Sequence, residues 1–150
     1  METIEKSVEV LNDLIQLNND RVDGFTRASK ELSPEDNDLQ NLFTMFAQDS
    51  RTNVQELTAA VAQLGDQPDH GNSITGTIHR AWLDVKATFS GHDRKSILEE
   101  CERGEDAIKK AYQSALAEEL PATVAVLLST QQQKINEGHD RIKLLRDSAV

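Results

Sequence analysis

Polar residues interrupt the otherwise apolar stripes of this chain at ligand-like spacing. Asn18 stands alone, Ser50 and Asn53 are three apart, Glu105 stands alone, and Asn136 and His139 repeat the three-residue step. Residues three or four apart on a helix share a face, so each pair would point one way. A carboxylate and an imidazole turned into a core are suited to holding a divalent metal ion. Within this set only Glu105 and His139 are good ligands, and Glu102, one turn before Glu105 and expected to be half-solvated, is a possible third. The opposing reading needs no metal. A carboxylate on a core stripe is costly unless paired, so Glu105 is expected to meet His139, Tyr112 or a polar partner from the first half of the chain. His139 and Gln132 would then be hydrogen-bonded members of the same internal layer.

Other candidate chemistry fades on inspection. His92 with Asp93, and His70 with Asp69, read as exposed turn residues, and His79 neighbours Arg80 on a connecting helix. Cys101 lies on an apolar stripe among Glu99, Glu100 and Glu102, the opposite of the exposed, electropositive setting of a reactive thiol. The chain has no phosphate-binding glycine loop and no nucleophile motif. Enzyme motifs are absent.

The elements that must position these residues are helices. A first run reads Ile4, Val8, Leu11, Ile15, Asn18, Val22, Phe25, Ser29 and Leu32, in steps of three and four. It stops at Ser33-Pro34-Glu35-Asp36, where Ser33 can cap the next helix and Pro34 is preset for its first turn. The second run reads Leu39, Leu42, Phe46, Ser50, Asn53, Leu57, Ala60 and Leu64, and Gly65 is placed to end it in a left-handed conformation. A polar loop follows from Asp66 to Asn72. Ile74, Ile78, Trp82, Val85 and Phe89 then predict a shorter crossover helix, whose 16 residues would span roughly 24 Å. The next run is Leu98, Cys101, Glu105, Ile108, Tyr112 and Ala115, with a turn near Leu120 and Pro121. The last is Val124, Leu128, Gln132, Ile135, His139 and Ile142. The halves are weakly alike: Asn18, Phe25 and Ala28 repeat the intervals of Glu105, Tyr112 and Ala115. Two helix pairs joined by a long crossover are implied.

Antiparallel geometry tests whether the polar residues can meet. A last turn centred between Leu120 and Pro121 sets Glu105 level with Asn136 and Glu102 level with His139. A first turn centred near Pro34 sets Asn18 opposite Ser50. A one-residue shift in either turn would loosen the match by about 1.5 Å.

With these residues in place, the chain resembles the bacterial ferritin-like four-helix-bundle proteins of unknown function. The resemblance runs over nearly the whole length and is carried by HRAWLDVKATFSG, ILEECERGEDAIKKAY and EGHDRIKLLRD. It implies an all-α, ferritin-like four-helix bundle with an additional short crossover helix, as a single domain over residues 1–150. Metal-bearing members of the wider fold take one Glu and one Glu-x-x-His from each half. Here the Glu positions hold Asn18, Ser50, Glu105 and Asn136, and the His positions hold Asn53 and His139. Four of the six have lost their ligand, and neutral amides or a hydroxyl replace poorly the anionic oxygens that two iron ions need.

Composition sets the outer limits. With 150 residues, 37% of them hydrophobic, the chain can bury one sizeable core. A net charge of -10 argues against nucleic acid and anionic membrane surfaces as partners. The single cysteine and the lack of a leader or apolar span lead to the expectation of a cytoplasmic protein. Two readings of function stand. One is a non-catalytic bundle, without cofactor, that acts by association. The other is a weak mononuclear or degenerate dinuclear metal protein, binding iron or another divalent ion through Glu105 and His139 with Glu102 as a possible third ligand. Val126 and Leu127 lie off the core line of the last helix and, with Ala122 and Ala125, widen its apolar face, which predicts a homodimer.

Overall fold

The computed structural model describes residues 2–65 and 94–148. Helix α1 (Glu2–Glu31) leads through a 3-10 turn (Pro34–Asp36) to α2 (Asn37–Gln63), and α3 (Arg94–Leu116) is followed by α4 (Ala122–Ser148). There is no strand among the described residues. The expected crossover helix and the loop from Asp66 to Asn72 lie outside the described residues.

The buried line of α1 is Leu11, Leu14, Asn18, Arg21, Phe25 and Ala28, continued by Leu32 just past its end, in alternating steps of three and four, which keeps one side of the helix on the core. This corrects the sequence reading at three positions. Val22 and Ser29 are only half-buried while Arg21 and Ala28 take the core positions, and Ile4 is 43% exposed. At the turn, Ser33 does not cap a helix through its side chain. Its hydroxyl donates to Asp36 Oδ2 at 3.2 Å, and α2 begins after the 3-10 turn. The open carbonyls at the end of α1 are met from α2, where Gln40 Nε2 donates to Leu32 O at 3.4 Å. Gly65 has φ of 84°, the left-handed conformation expected where α2 stops, which costs a residue without Cβ little.

Each short turn makes its two helices antiparallel. Across the pairs, Asn18 meets Tyr112 and Arg21 meets Glu105, so α1 and α3 also run antiparallel. Gln131 reaches Asn53 and Glu56 while Gly138 lies at Phe46, so α2 and α4 do the same. Helices α2 and α3 therefore point the same way, so the end of α2 and the start of α3 lie at opposite ends of the bundle. Arg94 fixes the start of α3 at the α1–α2 turn, donating to Asp38 Oδ2 at 2.8 Å and Asp36 Oδ1 at 3.1 Å.

The core is divided. One apolar cluster, including Leu11, Leu14, Leu57, Ile108, Leu128 and Ile135, fills one end. The other, including Phe25, Phe43, Phe46, Ile97, Leu98 and Ile142, fills the far end. There Phe25 packs on Phe43 and Phe46 with ring centroids 5.2 and 5.3 Å away, in tilted geometry. Each large side chain buried this way contributes about 1.5 to 3 kcal/mol. Polar side chains separate the two clusters.

Candidate functional site

At the centre of that polar layer is an ion pair. Arg21 Nε donates to Glu105 Oε1 at 2.5 Å and Nη2 donates to Oε2 at 3.0 Å. The two side chains are 2% and 0% exposed. This bidentate match uses the planar fork of guanidinium. The third arginine nitrogen, Nη1, donates to Ser50 Oγ at 3.0 Å and to Phe46 O at 3.3 Å. The guanidinium carbon lies 5.2 Å from the Phe25 ring centroid and 5.4 Å from that of Phe46, within cation–π range. Room for its head comes from α4, because a Cβ built on Gly138 would stand 3.3 Å from Arg21 Nη2 and 3.4 Å from Glu105 Oε2.

From Ser50 the network continues through all four helices. Ser50 Oγ and Asn53 Nδ2 both donate to Asn18 Oδ1, at 2.9 and 3.1 Å. Asn18 Nδ2 donates to Leu14 O at 2.8 Å and to the Tyr112 hydroxyl at 2.9 Å. Tyr112 in turn donates to Gln131 Oε1 at 2.7 Å, and Gln131 Nε2 donates to Glu56 Oε1 at 3.1 Å. Burial pushes the Tyr112 phenol well above its ordinary range, against the opposing pull of Asn18 and Arg21. The phenol is therefore held protonated, as a donor.

The sequence-predicted residues divide into two groups. Asn18, Ser50, Asn53 and Glu105 meet in the central layer, with Asn18 opposite Ser50 as the turn geometry required. His139 and Glu102 stand instead on the flank between α3 and α4, where they group with Asp106. Glu105 and His139 consequently do not act together: Arg21 takes both oxygens of Glu105, while His139 Nε2 lies against Asp106 Oδ1. Asn136 is half-buried, and its buried Oδ1 has no hydrogen-bond partner among the described residues. Gly138, not Asn136, is what α4 presents at Glu105. Gln131 rather than Gln132 joins the layer.

Four residues that matter were missed, and each left a signal. Arg21 is three residues after Asn18 and four before Phe25, so it continues the core stripe and supplies the charge that Glu105 lacks. Gln131 is three after Leu128 and four before Ile135. Asp106 is one turn after Glu102. Gly138 is a small residue in the middle of a helix, which often marks a close approach.

The central residues do not fit a pair of metal ions. The only carboxylate among the six ligand positions is neutralised in place by a guanidinium, and the remaining groups near it are neutral amides and hydroxyls engaged with one another. Cys101 offers no alternative chemistry. Burial, with Glu105 and Glu100 beside it, drives its thiol well above the ordinary range, away from the thiolate form.

Residues 6–118 match a protein family described as a domain of unknown function, DUF2383. The chain belongs to that family. The DUF2383 match takes in Asn18, Arg21, Ser50, Asn53, Glu105 and Tyr112, so both partners of the buried ion pair lie inside it. Helix α4, which supplies Gln131, Gly138 and His139, lies beyond its end. Comparison with curated proteins found no match. No helix among the described residues is long and apolar enough to cross a membrane.

Proposed function

We propose that the chain is a single-domain, ferritin-like bundle that performs no chemistry at its centre and acts by association with protein, first with a second copy of itself. The observation that carries this reading is the bidentate grip of Arg21 on Glu105. A buried arginine provides the positive charge that metal ions provide in metal-bearing bundles of this class, without an open coordination position. The ferritin-like assignment draws support from the directions of the helices, with α2 and α3 parallel across the diagonal and the four packed pairs, α1–α2, α3–α4, α1–α3 and α2–α4, all antiparallel. A cytoplasmic setting suits the buried free thiol of Cys101.

Support for association comes from α4. Val126 is 66% exposed, and Leu127 beside it is only partly buried against the core. Light scattering across a concentration series should reveal a mass near twice 16.7 kDa. Val126→Glu should shift it to the monomer without loss of stability. A monomer at every concentration removes the dimer. The closed centre has its own test. Chelator-treated protein should keep its helical circular dichroism and a cooperative melt, and should not accelerate aerobic oxidation of ferrous iron. Catalysed oxidation that depends on Glu105 would overturn the reading.

A further inference from the structure

A second polar cluster lies outside the central layer. Glu102 and Asp106 are four residues apart on α3 and so share a face, and His139 comes to them from α4. One potential ligand atom from each lies within 4.8 Å of the others. The side chains of Glu102 and His139 are 11% and 10% exposed, while that of Asp106 is 48% exposed. The cluster therefore has a buried wall of carboxylate and imidazole and one carboxylate at a solvent-facing lip, through which a hydrated ion could enter.

The environment of the imidazole points further. Its far nitrogen, Nδ1, lies 3.3 Å from Asp140 Oδ1. A carboxylate that receives the Nδ1 proton fixes the ring with the Nε2 lone pair turned toward Glu102 and Asp106. Metal-ligating histidines carry this arrangement on their outer nitrogen, where it orients the ring and raises its basicity. Nε2 itself lies against Asp106 Oδ1, and Arg146 Nη1 donates to Glu102 Oε2.

The geometry points to a mononuclear site for a first-row divalent transition ion, formed by Glu102, Asp106 and His139 on the α3–α4 flank, with water completing the coordination. One imidazole with two carboxylates suits zinc, cobalt or ferrous iron, whereas magnesium and calcium favour all-oxygen shells. Arg146 is the built-in competitor. An ion on Glu102 competes with the guanidinium for the same carboxylate, and the guanidinium also holds Asp147 Oδ1 at 2.9 Å and can rest there. No residue of the central layer takes part, so the site stands or falls apart from the closed-centre reading.

The test titrates the full chain, stripped with chelator and dialysed, with Zn2+ by calorimetry and with Co2+ by visible absorption. A single equivalent should bind. Zinc at a hundredfold excess over its Kd should raise the melting temperature by roughly 5 to 10 °C. His139→Gln and Asp106→Asn should each weaken binding by at least about tenfold, in line with the loss of groups that hold or orient a ligand. Arg146→Gln should tighten it, and Glu105→Gln should leave it unchanged. Wild-type protein that takes up no zinc overturns the proposal. So does a folded His139→Gln protein with undiminished affinity, which would place the ion on other residues. Should His139→Gln unfold, Asp106→Asn on the exposed lip decides in the same way.

Discussion

Removing the Glu105 carboxylate should be among the most damaging single changes this bundle can suffer. Arg21 would keep its charge at 1% residue exposure, surrounded by Phe25, Phe46 and neutral hydrogen bonders. Deleting one partner of a buried pair costs about 3 to 5 kcal/mol, because the other charge is left without compensation. Glu105→Gln keeps the volume and one acceptor and belongs at the lower end, near 3 kcal/mol. Glu105→Ala adds a cavity and belongs near 5 kcal/mol. For a domain of this size those losses lower the melting temperature by roughly 6 to 20 °C. Replacing both partners, Arg21→Met with Glu105→Leu, should be milder than either single change would suggest. What remains is mainly the loss of a donor to Ser50 Oγ and Phe46 O, about 1 kcal/mol for each. Urea unfolding of the wild type, Arg21→Met, Glu105→Leu and the double variant closes a thermodynamic cycle with an expected coupling of about 4 kcal/mol or more. Additivity within about 0.5 kcal/mol, or single variants as stable as the wild type, would refute the buried pair.

Further changes probe the rest of the layer and its approaches. Tyr112→Phe should cost about 1 to 3 kcal/mol by leaving Gln131 Oε1 without its donor, and denaturant titration measures it. Because the Tyr112 phenol is raised above its unfolded value of 10.0, its contribution is complete below that value and is lost as pH rises beyond it. Absorbance at alkaline pH should therefore show phenolate appearing with unfolding, and phenolate in a still-helical protein would contradict its burial. Gly138→Val should destabilise by about 1 to 3 kcal/mol through crowding, since Arg21 and Phe46 are already within 3.3 Å of the site of a Cβ, and a melting temperature equal to wild type would show that the approach is not tight. Arg94 holds the Asp38 carboxyl down from an ordinary 3.8 to about 2. That contribution is present above pH 3.8 and lost as pH falls toward 2, and it is under about 1 kcal/mol at so exposed a pair. Arg94→Gln should flatten that part of the acid stability curve, and an unchanged curve would remove the clamp.

The helices were legible because their stripes are long, and because Pro34, Gly65 and Pro121 punctuate them by backbone chemistry that does not depend on neighbours. The level of Asn18 and Ser50 followed from a short turn, which leaves little freedom in register. Rotation of a helix about its axis was less legible. Val22 and Arg21 are adjacent, hydrophobicity favours Val22, and only the unpaired charge of Glu105 across the bundle reveals that Arg21 belongs inside. The same ambiguity hid Gln131 behind Gln132. On α4 the rotation decides more, since Gly138 facing the centre leaves His139 on the flank, where it finds Asp106 in place of Glu105. Partner choice of this kind is a property of three dimensions, and no spacing within one helix encodes it.

The two halves of the chain are alike in pattern yet opposite in what they bring to the middle: the α1–α2 half carries the guanidinium and the α3–α4 half the carboxylate. Two copies of the first half clasped together would bury a pair of like cations with no counter-ion, and two copies of the second would bury a pair of anions. Each half is thus a mismatch for itself and a match for the other, so the mixed assembly is favoured by charge before any apolar packing is compared. The buried pair acts as a key that favours the pairing of one hairpin with the other.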